Sequence, residues 1–432
     1  MVLNGGIRVF PRIAPAFLAT VGLSLFSFGT TPVWGQFPTV TPEEVGLSSE
    51  RLARVSEAFE GYADDGRIAG AVGLVARHGK LAWAKAWGMR DLAAGDPMEI
   101  DDIFRIFSMT KPITSVAVMM LWEEGHFRLD DRIGRYLPEL GNMVVADLER
   151  STSPDDIVTV PAERQITIRD LLRHTSGLSY GLTFGRTAAD QAFARANPTG
   201  QTTLAEMVTE LGKLPLAQQP GTGWRYSAAT DVLGRLVEVI SGQAFDVFLH
   251  ERIFEPLSMD DTAFFVPDSK RDRFTQLYGH SRSDRALELR GGSGDYSPAD
   301  TFFSGGSGLV STAQDYARLA QMLLNGGHLD GAQILGRKTI ELMTTDHLGD
   351  DGASFLQAGW GFGLGFTMKN QPALDGNSDS VGNYFWMGIA GTSFWVDPEE
   401  DLIGVFMIQI RPNRDIGFRQ QFKRLVYQAV VS

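Results

Sequence analysis

The sequence contains no cysteine. Disulfides, thiolate nucleophiles, Cys-ligated zinc and a lipid-bearing N-terminal cysteine are therefore excluded, and the redox compartment is left open. Positive charge is also scarce. The 432 residues hold 39 Lys and Arg against 52 Asp and Glu, a net charge of -13, with no basic run. Such a chain repels polyphosphates, which argues against a nucleic-acid partner. No Asp or Glu precedes Glu43. The longest apolar run, Ala14 to Phe28, is shorter than the roughly 20 residues a membrane span needs. What is abundant is apolar surface: 43% of residues are hydrophobic and 10% aromatic, enough for a large packed core.

Arg8 and Arg12, then the apolar run, then small residues near Val33 and Gly35 give residues 1–35 the layout of a secretory signal peptide, with cleavage before Gln36. The mature protein would then be periplasmic or secreted, with no membrane span. A non-cleaved extension on a cytoplasmic protein is the alternative.

Ser48 and Ser49 precede Leu52, Val55, Phe59 and Tyr62, a helical spacing behind a Ser cap. Ala69 to Arg77 and Lys80 to Trp87 read as a β-hairpin turning at His78-Gly79. Near the other end, Gly359 to Met368, Tyr384 to Ile389, Thr392 to Val396 and Leu402 to Ile410 read as strands, and Phe418 to Val430 as a helix. Between them, Ile113 to Glu124, Ile168 to Arg173, Thr203 to Leu211, Thr230 to Ser241, Phe245 to Ile253, Ala313 to Asn325 and Lys338 to Thr344 read as helices. Strands at both ends and helices between imply an α+β fold: an antiparallel sheet built from both chain ends, flanked by helices, with a mostly helical insertion. The expected division is a sheet domain of residues 36–110 and 345–432 around a helical domain of 111–344, with the active site between the two.

Only eight lysines occur, and Lys111 stands three residues after Ser108 in Phe107-Ser108-Met109-Thr110-Lys111-Pro112, at the head of an apolar helix. Residues three apart share a helix face, so Ser108 Oγ and Lys111 Nζ can meet. A first-turn serine lies among free N–H groups that favour a developing anion. A serine becomes a nucleophile when a neighbouring base takes its proton, and a desolvated lysine can act as that base.

Further motifs follow in order: Leu171 to Leu178 (LLRHTSGL), Pro220 to Ser227 (PGTGWRYS), Gly305 to Thr312 (GGSGLVST) and Trp386 to Thr392 (WMGIAGT). With these blocks the sequence resembles the serine β-lactamase-like superfamily, from about Glu43 to the C-terminus. That superfamily includes class C β-lactamases, D-Ala-D-Ala peptidases and, nearest in pattern, family VIII carboxylesterases. The resemblance implies a β-lactamase/transpeptidase-like fold with Ser108 as acylated nucleophile and Lys111 as its partner. Tyr226 would be the tyrosine that moves protons, and the backbone N–H groups of Ser108 and Ile389 the oxyanion hole. Trp386 and Gly388 would contact substrate. No cofactor is implied.

Two departures bear on substrate. The Y-x-N motif is replaced by Tyr226-Ser227-Ala228, and Trp386 stands where the K-T-G lysine of a sheet-edge strand would be. Losing an amide and a cation argues for neutral esters over anionic substrates, with Arg225 as a cation that could stand in. The resemblance thus implies a carboxylesterase acting on short to medium acyl chains, with at most weak β-lactamase side activity. The same Ser-Lys-Tyr set would also serve a β-lactamase, D-Ala-D-Ala peptidase, amidase or acyltransferase. A catalytically silent penicillin-recognising-type binding protein would share the fold.

Three other patterns are read as structural. Gly177-Leu178-Ser179-Tyr180-Gly181 matches the nucleophile elbow G-x-S-x-G but follows a helix-like segment instead of a strand, so it is taken as loop. His174 is taken as a buried structural histidine. The seven histidines include no H-x-x-x-H pair, which gives no support to a metal site.

Overall fold

In a computed structural model, Gly70–Arg77 is the strand that joins the two chain ends. It pairs antiparallel with Lys80–Asp91 on one side and Leu402–Ile408 on the other, so Ala71 lies opposite both Trp87 and Ile408. The structure describes residues 37–183, 185–292, 295–298, 302–349, 356, 358–372, 376–413 and 417–432. The leader expected over residues 1–35 lies outside them.

Eight strands form the main sheet. Its order is Trp360–Phe362, Thr367–Lys369, Tyr384–Met387, Ser393–Asp397, Leu402–Ile408, Gly70–Arg77, Lys80–Asp91 and Asp96–Pro97. Every residue of Gly70–Arg77 and of Leu402–Ile408 is buried. Central strands covered on both faces read as unbroken apolar runs, and these do. His78 (φ 55°) and Gly79 (φ 69°) make the two-residue turn of the first hairpin, where both central residues must be left-handed.

Helices cover both faces. Helix α1 (Ser49–Asp64), capped by the Ser48 hydroxyl accepting from Arg51 N–H at 3.2 Å, packs on one face. It lies there with the helix Phe418–Tyr427, hereafter α10. Phe59, Trp87, Phe406 and Phe422 form an aromatic cluster there, with ring centroids 4.9 to 6.0 Å apart. Neighbouring residues of a strand point to opposite faces. Trp395 meets Phe422 of α10 at 5.7 Å, whereas Phe394 meets Tyr316 of Ala313–Leu324 (α8) at 4.8 Å. Helix α8 therefore lies on the other face.

The remaining helices are α2 (Thr110–Glu123), α3 (Ile168–Leu172), α4 (Ala188–Ala196), α5 (Leu204–Leu211), α6 (Ala229–Ser241), α7 (Phe245–Leu249) and α9 (Arg337–Met343). Helix α2 is buried from Thr110 through Leu121, as its all-round apolar sequence requires.

The structure differs from the sequence expectation at three places. Gly359 to Met368, read as one strand, is a hairpin of Trp360–Phe362 against Thr367–Lys369. The turn between them holds Gly365 at φ 103°, where a Cβ would lie 2.3 Å from Ser115 Oγ of α2. Close approach to α2 forces the bend. The strand at Tyr384 ends at Met387, before Ile389. It is also interior to the sheet rather than its edge strand, although Thr367–Lys369 pairs only with Tyr384 and Phe385, so Trp386 and Met387 are open on that side. Helix α4 has no counterpart in the sequence reading, although Thr187 and Asp190 make a complete capping box at its start.

Candidate active site

Ser108 sits in a single 3-10 turn, Phe107–Met109, that runs directly into α2. Phe107 holds φ 45°, a left-handed conformation that a bulky residue adopts only under constraint. The constraint comes from several elements. Ile106 N–H donates to Leu309 O at 3.1 Å, Leu309 N–H donates to Thr110 Oγ1 at 3.1 Å, and Tyr316 OH of α8 donates to Met109 O at 2.8 Å.

Lys111, one turn further on the same face, is 2% exposed. Its ammonium donates to Gly306 O at 2.7 Å and stands over the Tyr226 ring at 4.6 Å and the Tyr180 ring at 5.1 Å. The carbonyl it reaches belongs to the Gly305–Ser307 loop, which Thr114 Oγ1 also holds, through Gly305 O at 2.7 Å. A Cβ at Gly306 would lie 2.6 Å from Asp231 Oδ2, so only glycine lets the loop come this close.

Asp231, on α6, is fully buried and accepts from Gly306 N–H at 3.0 Å and from the Ser304 hydroxyl. Burial raises its pKa, while the nearby Lys111 ammonium and these hydrogen bonds oppose the rise.

Tyr226 lies in the loop just before α6, in an aromatic wall. Its ring is 6.0 Å from Trp224, 5.6 Å from Tyr180, 5.0 Å from His174 and 5.7 Å from Trp386. His174 is buried among Trp224, Tyr226 and Phe362, with Nδ1 3.5 Å from Ser227 Oγ. Burial first, and Lys111 second, push its pKa well below the usual histidine value. It packs behind the residues that line the cavity.

The opposite wall comes from the sheet. After Met387 the chain turns at 388–392, with Gly388 N–H donating to Thr392 O at 2.9 Å and Gly391 N–H to Gly388 O at 3.0 Å. A Cβ on Gly388 would meet Thr392 Oγ1 at 2.2 Å and Ile106 O at 2.5 Å. The glycine thus lets this turn press against the residues leading to Ser108. Trp386 is 8% exposed and packs edge-on to Phe362 at 5.4 Å.

Between the walls is a cavity of about 410 Å³, lined by Ser108, Trp224, Arg225, Tyr226, Trp386, Met387, Gly388, Ile389 and Arg419. Five of the six residues singled out from the sequence line it, and the sixth, Lys111, lies beneath the Tyr226 ring. The residues that sequence reasoning did not single out are Asp231 and Arg419. Asp231 had a visible signal, an acidic residue inside the apolar stretch Ala228 to Val237. Arg419 had none.

Ser179 does not join the group. Residues 177–180 are loop, and the buried Ser179 hydroxyl donates to Asp190 Oδ1 at 2.6 Å. Arg225, though in the cavity wall, gives its guanidinium to the same carboxylate at 2.5 Å. Among the described residues no group of three or more His, Asp or Glu is placed to hold a metal ion, and no helix is long and apolar enough to cross a membrane.

An antiparallel sheet between helical layers, with a serine and a lysine one turn apart at the head of a buried helix, defines the β-lactamase/transpeptidase-like class. The protein belongs to the Beta-lactamase family, whose model matches residues 55–428. It is 39% identical over 365 residues to Protein Rv1367c of Mycobacterium tuberculosis, covering 82% of this chain and 88% of that one. It is 31% identical over 382 residues to Esterase EstB of Burkholderia gladioli, covering 83% and 91%. The structure of EstCE1, a hydrolase with promiscuous acyltransferase activity, superposes with a TM-score of 0.73 at 27% identity, covering 88% of this chain and 99% of that one. These relationships support a serine hydrolase or acyltransferase.

Proposed function

We propose that the protein is a carboxylesterase that cleaves esters of short to medium acyl chains through an acyl-enzyme on Ser108. The observation that carries this reading is the convergence on one cavity of Ser108, Tyr226 and the Gly388–Ile389 turn, with Lys111 buried directly behind. The aromatic part of the wall suits the hydrocarbon of an acyl chain, and one relative is an esterase.

In the proposed cycle the Tyr226–Lys111 pair enters with one proton fewer than phenol plus ammonium, and it takes the Ser108 proton as Ser108 Oγ attacks the ester carbonyl carbon. The N–H groups of Ser108 and Ile389 receive the oxyanion, each such donor being worth about 3 kcal/mol of barrier. The carbonyl re-forms, the C–O bond to the alcohol breaks, and the same pair returns the proton to the departing oxygen. Water repeats the sequence on the acyl-enzyme and releases the acid. An alcohol in place of water would give acyl transfer, the promiscuous activity of the hydrolase EstCE1.

The test is a hydrolysis series of p-nitrophenyl esters from acetate to palmitate with Tyr226→Phe beside the unmodified enzyme. The expectation is a kcat/KM maximum among the shorter chains. Tyr226→Phe should lower kcat by about 10²-fold or more with little change in KM. Turnover of benzylpenicillin matching that of the best ester would contradict the proposal.

A further inference from the structure

Two arginines stand in the cavity wall, and their surroundings differ. Arg225 is neutralised by Asp190, a carboxylate that also takes hydrogen bonds from Ser179 and Thr187. Arg419, in the first turn of α10, has no carboxylate within ion-pair distance among the described residues. Its guanidinium makes a long polar contact, Nη1 at 3.5 Å from Gly388 O. Burial alone lowers its pKa, and a guanidinium stays charged across the ordinary pH range even so. Among the described residues Arg419 therefore holds a partly desolvated positive charge with one weak acceptor, an arrangement that favours a ligand able to complete it.

The position says which ligand. Arg419 borders the cavity of about 410 Å³ and also an adjoining one of about 300 Å³, lined in part by Trp386, Met387, Phe385 and Lys423. Lys423 is already engaged by Asp379, which leaves Arg419 as the cation that both spaces share without a carboxylate partner among the described residues. Arg419 and Ser108 line the same cavity, so a group held by the guanidinium and an ester carbonyl at Ser108 can belong to one substrate. A planar fork of N–H donors at that place matches a carboxylate in two-point contact.

We propose that Arg419 binds a carboxylate of the substrate, so that the preferred esters are acidic ones, with the carboxylate separated from the ester by a short apolar spacer. This rests on the esterase reading and narrows its substrate class. It also reverses the expectation drawn from Trp386. The strand that lacks a lysine is faced by a helix, far along the chain, that supplies a cation.

The experiment compares mono-4-nitrophenyl glutarate with 4-nitrophenyl pentanoate on the unmodified enzyme, Arg419→Lys and Arg419→Gln. Calorimetric titration with free glutarate is run alongside. The ratio of kcat/KM, acidic over neutral ester, is expected to exceed one in the unmodified enzyme. It should fall about tenfold in Arg419→Gln, chiefly through KM, with Arg419→Lys between the two. An unchanged ratio in Arg419→Gln, with both esters slowed alike or not at all, would overturn the proposal. If the unmodified enzyme cleaves neither ester, the esterase reading fails and the titration decides: glutarate binding lost in Arg419→Gln upholds the carboxylate site, and no binding by the unmodified enzyme removes it.

Discussion

Lys111 and Asp231 grip opposite ends of the same residue: the ammonium donates to the carbonyl of Gly306, and the N–H of Gly306 donates to the Asp231 carboxylate. The lysine is therefore positioned by a loop that the aspartate holds, and the aspartate also takes the Ser304 hydroxyl from the same loop. Asp231 serves the proposed chemistry through Lys111 without touching the cavity.

This relationship separates two substitutions. Asp231→Asn keeps an acceptor for Gly306 N–H and Ser304 and should retain at least about a tenth of kcat. Asp231→Ala leaves Gly306 N–H buried without a partner and Ser304 with only the Ser307 hydroxyl at 3.2 Å, a loss of about 1–3 kcal/mol in stability, and should reduce kcat well beyond the Asn variant at similar KM. Steady-state kinetics and thermal melts on both variants check it. Equal kcat in the two would show that the loop does not need the aspartate.

Ser179 tests the alternative nucleophile. Its hydroxyl donates to Asp190 and accepts from Gly181 N–H at 2.9 Å, which is the work of a loop clamp. Ser179→Ala should lose about 1 kcal/mol of stability, seen as a lower melting temperature, and keep most of its esterase activity. An inactive but well-folded Ser179→Ala would return the nucleophile to the G-x-S-x-G segment.

Much of this architecture was legible in the sequence, for identifiable reasons. Gly70–Arg77 and Leu402–Ile408 are covered on both faces and carry unbroken apolar runs. The first hairpin announces itself by His78-Gly79, and α2 by the apolar stretch after Pro112. Ser108, Lys111 and Tyr226 stood out because their motifs are local. The hairpin hidden in Gly359 to Met368 was not separable, because the bend at Gly365 answers to Ser115 of α2, which no local pattern encodes. Asp231 stood out only as an acid within an apolar stretch and Arg419 not at all, because the partners of both are distant in sequence. One acts on a loop more than seventy positions away, the other on a turn in a different strand connection, and each residue's meaning is made by folding.

A pH effect follows from Asp315 in α8. It is buried, accepting from Asp261 N–H and the Thr262 hydroxyl, both at 2.8 Å. Burial nevertheless pushes its pKa up to about 7. The unfolded chain would release this proton near pH 4. The folded state thus binds an extra proton between those values, and its contribution is complete below about pH 4 and lost as pH rises to about 7. Asp315→Asn keeps an acceptor and cannot titrate. Its melting temperature should therefore fall less than that of the unmodified protein between pH 4.5 and 7.5, measured by scanning fluorimetry. Parallel profiles would contradict the assignment.

The central claim is that Ser108 is the acylated residue, and covalent labelling addresses it most directly. The protein is treated with a fluorophosphonate, its intact mass is measured, and the adduct is mapped by peptide sequencing. The account predicts one adduct per chain, on Ser108, with none formed by Ser108→Ala under the same conditions while Ser179→Ala labels normally. An adduct on another residue, or labelling that persists in a folded Ser108→Ala variant, would contradict it.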